Sequence, residues 1–257
     1  MKKITLTTAA LLISTTVLGA LPAFAVEIPA TTNAKVSFKA DDQGDGSSTD
    51  PTDPEGGGIT PDPGEGTSTK GPLRFDFVPN LSFGEQKISG GDKTYHPLMV
   101  KATTIATGEK PAAPKYVPHY VQVTDNRGTN EGWNVTVSRT DFKTPDETDE
   151  VLGATLTLAN GNIKGNLDAD ASLVPTIPTK DGKAEVITIS DTASNVMTAA
   201  ANKGMGSWVT SYGSEAGTSA TDVNTNITLA VPAKSKKYAK AYTSTITWTL
   251  ASTPTSK

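Results

Sequence analysis

From Leu73 onward the chain alternates apolar and polar residues in short runs separated by Gly, Pro, Asn and Asp. Residues two apart share one face of an extended strand, so this alternation predicts half-buried β-strands. The runs are LRFDFV (73–78), HPLMVKATTI (96–105), HYVQVTD (119–125), WNVTVSRT (133–140), GATLTLA (153–159), AEVITIS (184–190), TNITLAV (225–231) and YTSTITWTL (242–250). One stretch, DTASNVMTAAAN (191–202), has helical character instead, with Asp191 placed to cap its start and Gly204 just past its end. Many short strands with turn signals and no fixed-period repeat predict an all-β fold: a single antiparallel β-sandwich or barrel-like domain over 73–257 with one short helix.

Two of these strands carry a tryptophan in the same pattern. In the last one, Tyr242, Ser244, Ile246, Trp248 and Leu250 share a face, and Thr243, Thr245, Thr247 and Thr249 line the other. In the earlier one, Trp133, Val135 and Val137 share a face opposite Asn134, Thr136 and Ser138. Each strand therefore presents a Trp-x-aliphatic pair. Such pairs serve either as core anchors or as a partly exposed aromatic platform for a sugar or a partner protein. If the strands are neighbours or face each other across the core, the two indoles are able to meet, which adds about 0.5–1.5 kcal/mol beyond their burial.

The chain ahead of the strands has a different character. MKKITLTTAALLISTTVLGALPAFA (1–25) has two lysines, a largely apolar run and an Ala-Phe-Ala end, the pattern of a cleaved secretory signal peptide. A short segment (26–40) follows it. Residues 41–72 hold eight acidic residues and one lysine among Pro, Gly, Ser and Thr, and predict a disordered acidic linker with almost nothing apolar to bury. Its acids do not have the spacing of a calcium loop. The chain has no cysteine, which excludes disulfides and thiolate chemistry and fits export from a Gram-positive cell. From Gly71 to Lys257 there are 18 Lys plus Arg and 18 Asp plus Glu, so the domain is neutral and the net charge of −4 arises upstream. A neutral domain lacks the basic face that nucleic acid requires.

With these features in place, the region from Leu73 to the end resembles the WxL domain of Gram-positive surface proteins, defined by two Trp-x-Leu motifs. The resemblance rests on PLRFDFVPNLSFG after the acidic segment, QVTDNRGTNEGWNVTVS, GMGSWVTSYG and YTSTITWTLASTP. The distal motif, Trp248-Thr249-Leu250, is complete, and the proximal one, Trp133-Asn134-Val135, has Val in place of Leu. The resemblance implies an extracellular, non-catalytic domain associated with the cell wall, with peptidoglycan or an associated wall polymer as ligand. It implies as an alternative a component of a surface complex with a membrane-anchored protein partner. After signal cleavage no transmembrane segment, lipidation cysteine or sortase motif is expected, so attachment to the wall is non-covalent.

The remaining chemistry is sparse. Asp125-Asn126-Arg127-Gly128 leads into the Trp133 strand. It reads as an Asx-type turn, or as a polar rim in which Asp125 and Arg127 bind a saccharide or peptide stem. Lys234, Lys236, Lys237 and Lys240 precede the last strand as a solvated hairpin tip or a site for anionic wall polymers. His96 and His119 are expected to be partly exposed strand residues. No G-x-S-x-G elbow, zinc spacing or glycosidase carboxylate pair emerges, so neither catalysis, a metal nor a cofactor is expected.

Overall fold

The computed structural model describes residues 33–44, 48–54, 57–165 and 171–252; the expected signal peptide lies outside them. Phe38–Lys257 form one compact unit and Met1–Ser37 a separate one, of which the described part, 33–37, is exposed and without regular structure.

Strands appear in chain order as β1 (Ser48–Thr49), β2 (Gly58–Pro61), β3 (Gly66–Thr67), β4 (Leu73–Pro79), β5 (Lys93–Tyr95) and β6 (Val100–Thr104). They continue as β7 (Pro114–Val117), β8 (Tyr120–Asp125), β9 (Trp133–Arg139), β10 (Thr155–Leu158), β11 (Gly161–Gly165) and β12 (Thr179–Lys180). The last six are β13 (Lys183–Ala184), β14 (Ile187–Ile189), β15 (Ser194–Ala199), β16 (Gly206–Tyr212), β17 (Ile227–Val231) and β18 (Ile246–Ser252). The sheets run in the orders β1-β2-β6-β7, β14-β10-β17-β5, β11-β16-β8-β4-β3, β12-β13 and β15-β9-β18, all antiparallel and arranged as a sandwich.

The all-β expectation holds, with two corrections. Among the described residues there is no helix, and the segment expected to be one contains β15. The alanines and Met197 favour a helix there, but an isolated helix of this length is marginal in water, and pairing with β9 decides the outcome. Met197 pairs with Val135 and Ala199 with Trp133, while a bulge between Asn195 and Met197 lets Val196 and Met197 both be fully buried.

The second correction concerns the linker. Residues 41–44 are exposed and irregular, but 48–54 and 57–72 are folded onto the domain. Ser48 meets the Tyr120 hydroxyl, the Thr49 amide donates to Gln122 Oε1 at 2.8 Å, and the Lys115 ammonium pairs with the Asp50 carboxylate. Ile59 is fully buried in a second core with Phe77, Val100, Val117, Tyr120 and Val209. Main-chain pairing and polar contacts do most of this work, and composition does not register them.

β8 is buried along its whole length because both of its faces are covered. Val121 and Val123 enter the main core with Phe75, Trp133, Leu156, Ile189 and Trp208. The opposite face carries Tyr120, Gln122 and Thr124. A bulge in β4 between Phe75 and Phe77 sends Phe75 to the main core and Phe77 to the second, where its ring stacks on Tyr120 at 4.5 Å.

Candidate functional site

The two tryptophan strands are neighbours. β9 and β18 pair so that Val135 lies opposite Leu250, Val137 opposite Trp248, and Trp133 opposite Ser252. Both Trp-x-aliphatic faces point to the same core: Trp133, Val135 and Val137 are fully buried, and Ile246, Trp248 and Leu250 are half-buried against them. The indoles do not meet. The register separates them by four residues along the ladder, on the order of 13 Å.

Their surroundings differ. The Trp133 Nε1 donates to the Gly204 carbonyl at 3.1 Å. Gly204 sits at φ +76, and a Cβ there would lie 2.6 Å from that indole nitrogen, so the glycine is what allows the ring to dock. The Trp248 Nε1 is shielded from solvent with no hydrogen-bond partner among the described residues. The third tryptophan, Trp208 on β16, is also buried and donates to the Met205 carbonyl at 2.9 Å.

Asp125 and Arg127 form the turn of the first of the two expectations. Arg127 Nε and Nη2 grip the two Asp125 oxygens at 2.9 and 2.8 Å, Nη2 also donates to the Gly132 carbonyl at 2.8 Å, and Asp125 accepts the Arg127 amide. The bond to Asp125 holds the guanidinium pKa above its ordinary value despite partial burial. The pair is thus committed to the turn that delivers the chain to Trp133.

His119 is buried, not partly exposed as expected. Burial pushes its imidazole down to about 3, a bond to the Asn80 backbone opposing this only in part, so it is neutral at physiological pH. His96 is half-buried, with Nδ1 at 2.8 Å from the Ile227 carbonyl. Two lysines of the run are engaged, Lys237 donating to the Pro232 and Ser235 carbonyls at 3.0 Å and Lys240 pairing with Asp149 at 2.5 Å, while Lys234 and Lys236 are exposed.

Two features escape sequence reasoning because the fold assembles them from distant segments. One is a polar cavity of about 300 Å³ lined by Arg74, Asp76, Gln122, Thr124 and Ser207. Asp76 accepts from Arg74 Nε at 2.8 Å, Gln122 Nε2 at 2.9 Å and the Thr124 hydroxyl, a network that orients Gln122 to accept the Thr49 amide with its Oε1. The other is an asparagine-lined pocket beside β11 and β16.

The reverse face of the tryptophan strands is the most regular exposed surface they offer. Asn134, Thr136 and Ser138 of β9 lie beside Ala251, Thr249 and Thr247 of β18, with Asn195 and Thr198 of β15 on the other side. The exposed and half-exposed residues of this face are hydroxyls, amides and one methyl, without a charge. The same period of two that turns Trp133 and Trp248 towards the core thus lays out an uncharged polar surface.

Fold and strand pair define an all-β domain organised around two adjacent Trp-x-aliphatic strands. The chain belongs to the WxL family: the model of the WxL domain, surface cell wall-binding, matches residues 26–254, including the acidic segment. The protein is accordingly a cell-wall surface protein. No curated protein and no solved structure gives a significant match.

Proposed function

We propose that the protein holds to the Gram-positive cell wall non-covalently, by binding peptidoglycan or an associated polymer, and that it performs no catalysis. The observation that carries this reading is the continuous uncharged face of Asn134, Thr136, Ser138, Thr247 and Thr249. A glycan strand is itself long, polar and rich in hydroxyls, and a ladder of hydroxyls and amides exchanges hydrogen bonds along it without desolvating a charge. The tryptophans serve as braces that hold the two strands of this face on the core.

The test is co-sedimentation of the mature chain, 26–257, with purified wall sacculi. A triple variant, Thr136→Val, Thr247→Val and Thr249→Val, keeps shape and strand propensity while removing the hydroxyls. The bound fraction is expected to fall severalfold with unchanged thermal unfolding, and the sacculi are expected to release no soluble fragments. Equal retention of both proteins would overturn the placement of the site, and fragment release would overturn the non-catalytic reading.

A second reading, docking of a membrane-anchored partner, is favoured by the edge of β18. Among the described residues this strand pairs with β9 alone. Arg139 donates its amide to Ser190, away from β18, and Thr140 donates to Thr245, so alternation turns the main-chain groups of Ile246, Trp248 and Leu250 outward. No Lys, Pro or bulge protects that edge, which suits the addition of an extended partner strand. Leu250→Pro removes one outward N–H without touching a bond to β9. It is expected to abolish a partner crosslink formed from position 247 in cell envelopes; an undiminished crosslink counts against edge docking.

A further inference from the structure

The asparagine-lined pocket encloses about 430 Å³, within the range of small-ligand sites. Its amides are oriented by a chain that starts in the protein interior. The Asn224 side chain is fully buried and lies between two backbone groups that cannot exchange roles: its Nδ2 donates to the Tyr212 carbonyl at 2.9 Å, and its Oδ1 accepts the Asn226 amide at 3.0 Å. The second hydrogen of Nδ2 points to His119 Nδ1 at 3.3 Å, which is an acceptor because the ring is neutral and gives its proton to the Asn80 backbone.

With Asn224 fixed, the next links follow. Its Oδ1 also accepts from Asn226 Nδ2 at 3.2 Å, so Asn226 turns its Oδ1 outward, where it accepts from Asn160 Nδ2 at 2.6 Å. Asn160 therefore ends the chain with its own Oδ1 presented as an acceptor. Gly213 makes room for the arrangement, because at φ +106 a Cβ would lie 2.5 Å from Asn226 Nδ2. Asn162 stands on the same wall, half-exposed. Met99, Pro118 and Val223 supply apolar surface, and Glu215 is the charged residue among the described lining residues, which include no Lys or Arg.

We propose that this pocket binds an uncharged N-acetylated hexosamine unit of a glycan. The acetamido N–H is donated to Asn160 Oδ1, the acetamido carbonyl accepts from Asn162 Nδ2, and the methyl group rests on Met99, Pro118 and Val223. Glu215 disfavours acidic sugars. The assignment of the sugar to the wall rests on the function proposed above; the recognition of the acetamido group does not. A fixed acceptor is selective in a way that a freely rotating hydroxyl is not, because it requires a donor at one position.

The experiment titrates the mature chain, 26–257, with tri-N-acetylchitotriose, with its deacetylated counterpart and with cellotriose, following amide shifts by NMR. The acetylated trimer is expected to bind and to shift residues around Asn160 and Asn226, and the other two are not. Asn160→Gly, which suits the left-handed backbone at φ 53, and Asn162→Leu are each expected to weaken binding about tenfold. Equal binding of the three trimers, absence of binding by the acetylated one, or unchanged affinity in both variants overturns the proposal. Sacculus co-sedimentation run in parallel separates the two ideas. Wall retention without trimer binding overturns the pocket and spares the wall-binding reading, whereas acetamido-dependent trimer binding without wall retention does the reverse.

Discussion

Replacing Trp133 with alanine is expected to cost about 3–5 kcal/mol of stability, the range for deleting a fully buried large aromatic side chain. The indole is completely enclosed and packs with Val135, Val137 and Ala199, so the cavity has little scope to collapse. The Gly204 carbonyl also loses its donor. For a domain of this size the midpoint of thermal unfolding is expected to fall by on the order of 10 °C or more. Trp133→Phe, which keeps much of the apolar contact, is expected to cost clearly less. Trp248→Phe is the informative contrast: that indole is half-buried and its N–H is shielded without an acceptor, so removing the N–H relieves a penalty and the change is expected to be near neutral. Calorimetry of the three variants checks the asymmetry. Equal losses at Trp133 and Trp248 would show that the two motif residues are not distinguished by burial. If the tryptophans act as braces, folded Trp133→Phe protein sediments with sacculi as the parent does; loss of retention in a folded variant would return the aromatic platform to favour.

Much of the fold is legible in the alternation, and the failures share a cause. The strands β4, β8, β9, β10, β17 and β18 are readable because apolar residues recur at every second position, most often between Thr, Asn or Ser but in β4 between Arg74 and Asp76. β16 carries no strand signal although it lies between β11 and β8: from Trp208 to Tyr212 it is buried on both faces, so no wet side imposes a period, and glycines flank it. β15 resembles a helix in sequence because its bulge breaks the alternation at Val196 and Met197. The pairing of the two tryptophan strands was an open possibility, and the register decides it while keeping the indoles apart.

Candidate chemistry was legible only where neighbours in sequence are neighbours in space. Asp125 and Arg127 sit two residues apart, and their turn could be anticipated from the order of residues. The asparagine pocket joins Asn160 and Asn162 to Asn224 and Asn226, more than sixty residues later, and the amide chain is anchored inside at His119, between β7 and β8. Nothing in any one of those segments marks it as part of a site, because an isolated asparagine reads as a turn residue. What converts them is the fixed orientation of one buried amide, which is a property of the fold.

The acidic segment provides the second large effect. Ile59→Ala is expected to cost about 2–5 kcal/mol, because Ile59 is fully buried among Phe77, Val100, Val117 and Tyr120 and its loss leaves a cavity in a small core. A residue in a disordered linker would change stability by no more than about 0.5 kcal/mol, so urea unfolding of this single variant distinguishes the two pictures. Acid gives an independent handle on the same segment. Burial raises the Asp50 carboxyl pKa, but bonds from Lys115 and Thr52 outweigh this and hold it below the ordinary 3.8. A carboxylate depressed in the folded state stabilises the fold above its unfolded pKa, and that contribution disappears as pH falls through the lower folded value. Limited proteolysis by an acid-active protease is therefore expected to cut the 48–61 region earlier as pH drops below 3.8, and Asp50→Asn is expected to remove that dependence. If Ile59→Ala leaves the unfolding midpoint unchanged and the cleavage pattern ignores pH, β1 and β2 do not belong to the folded domain. The tethering of an acid-rich, apolar-poor segment to β8 would then have to be abandoned along with the second core it closes.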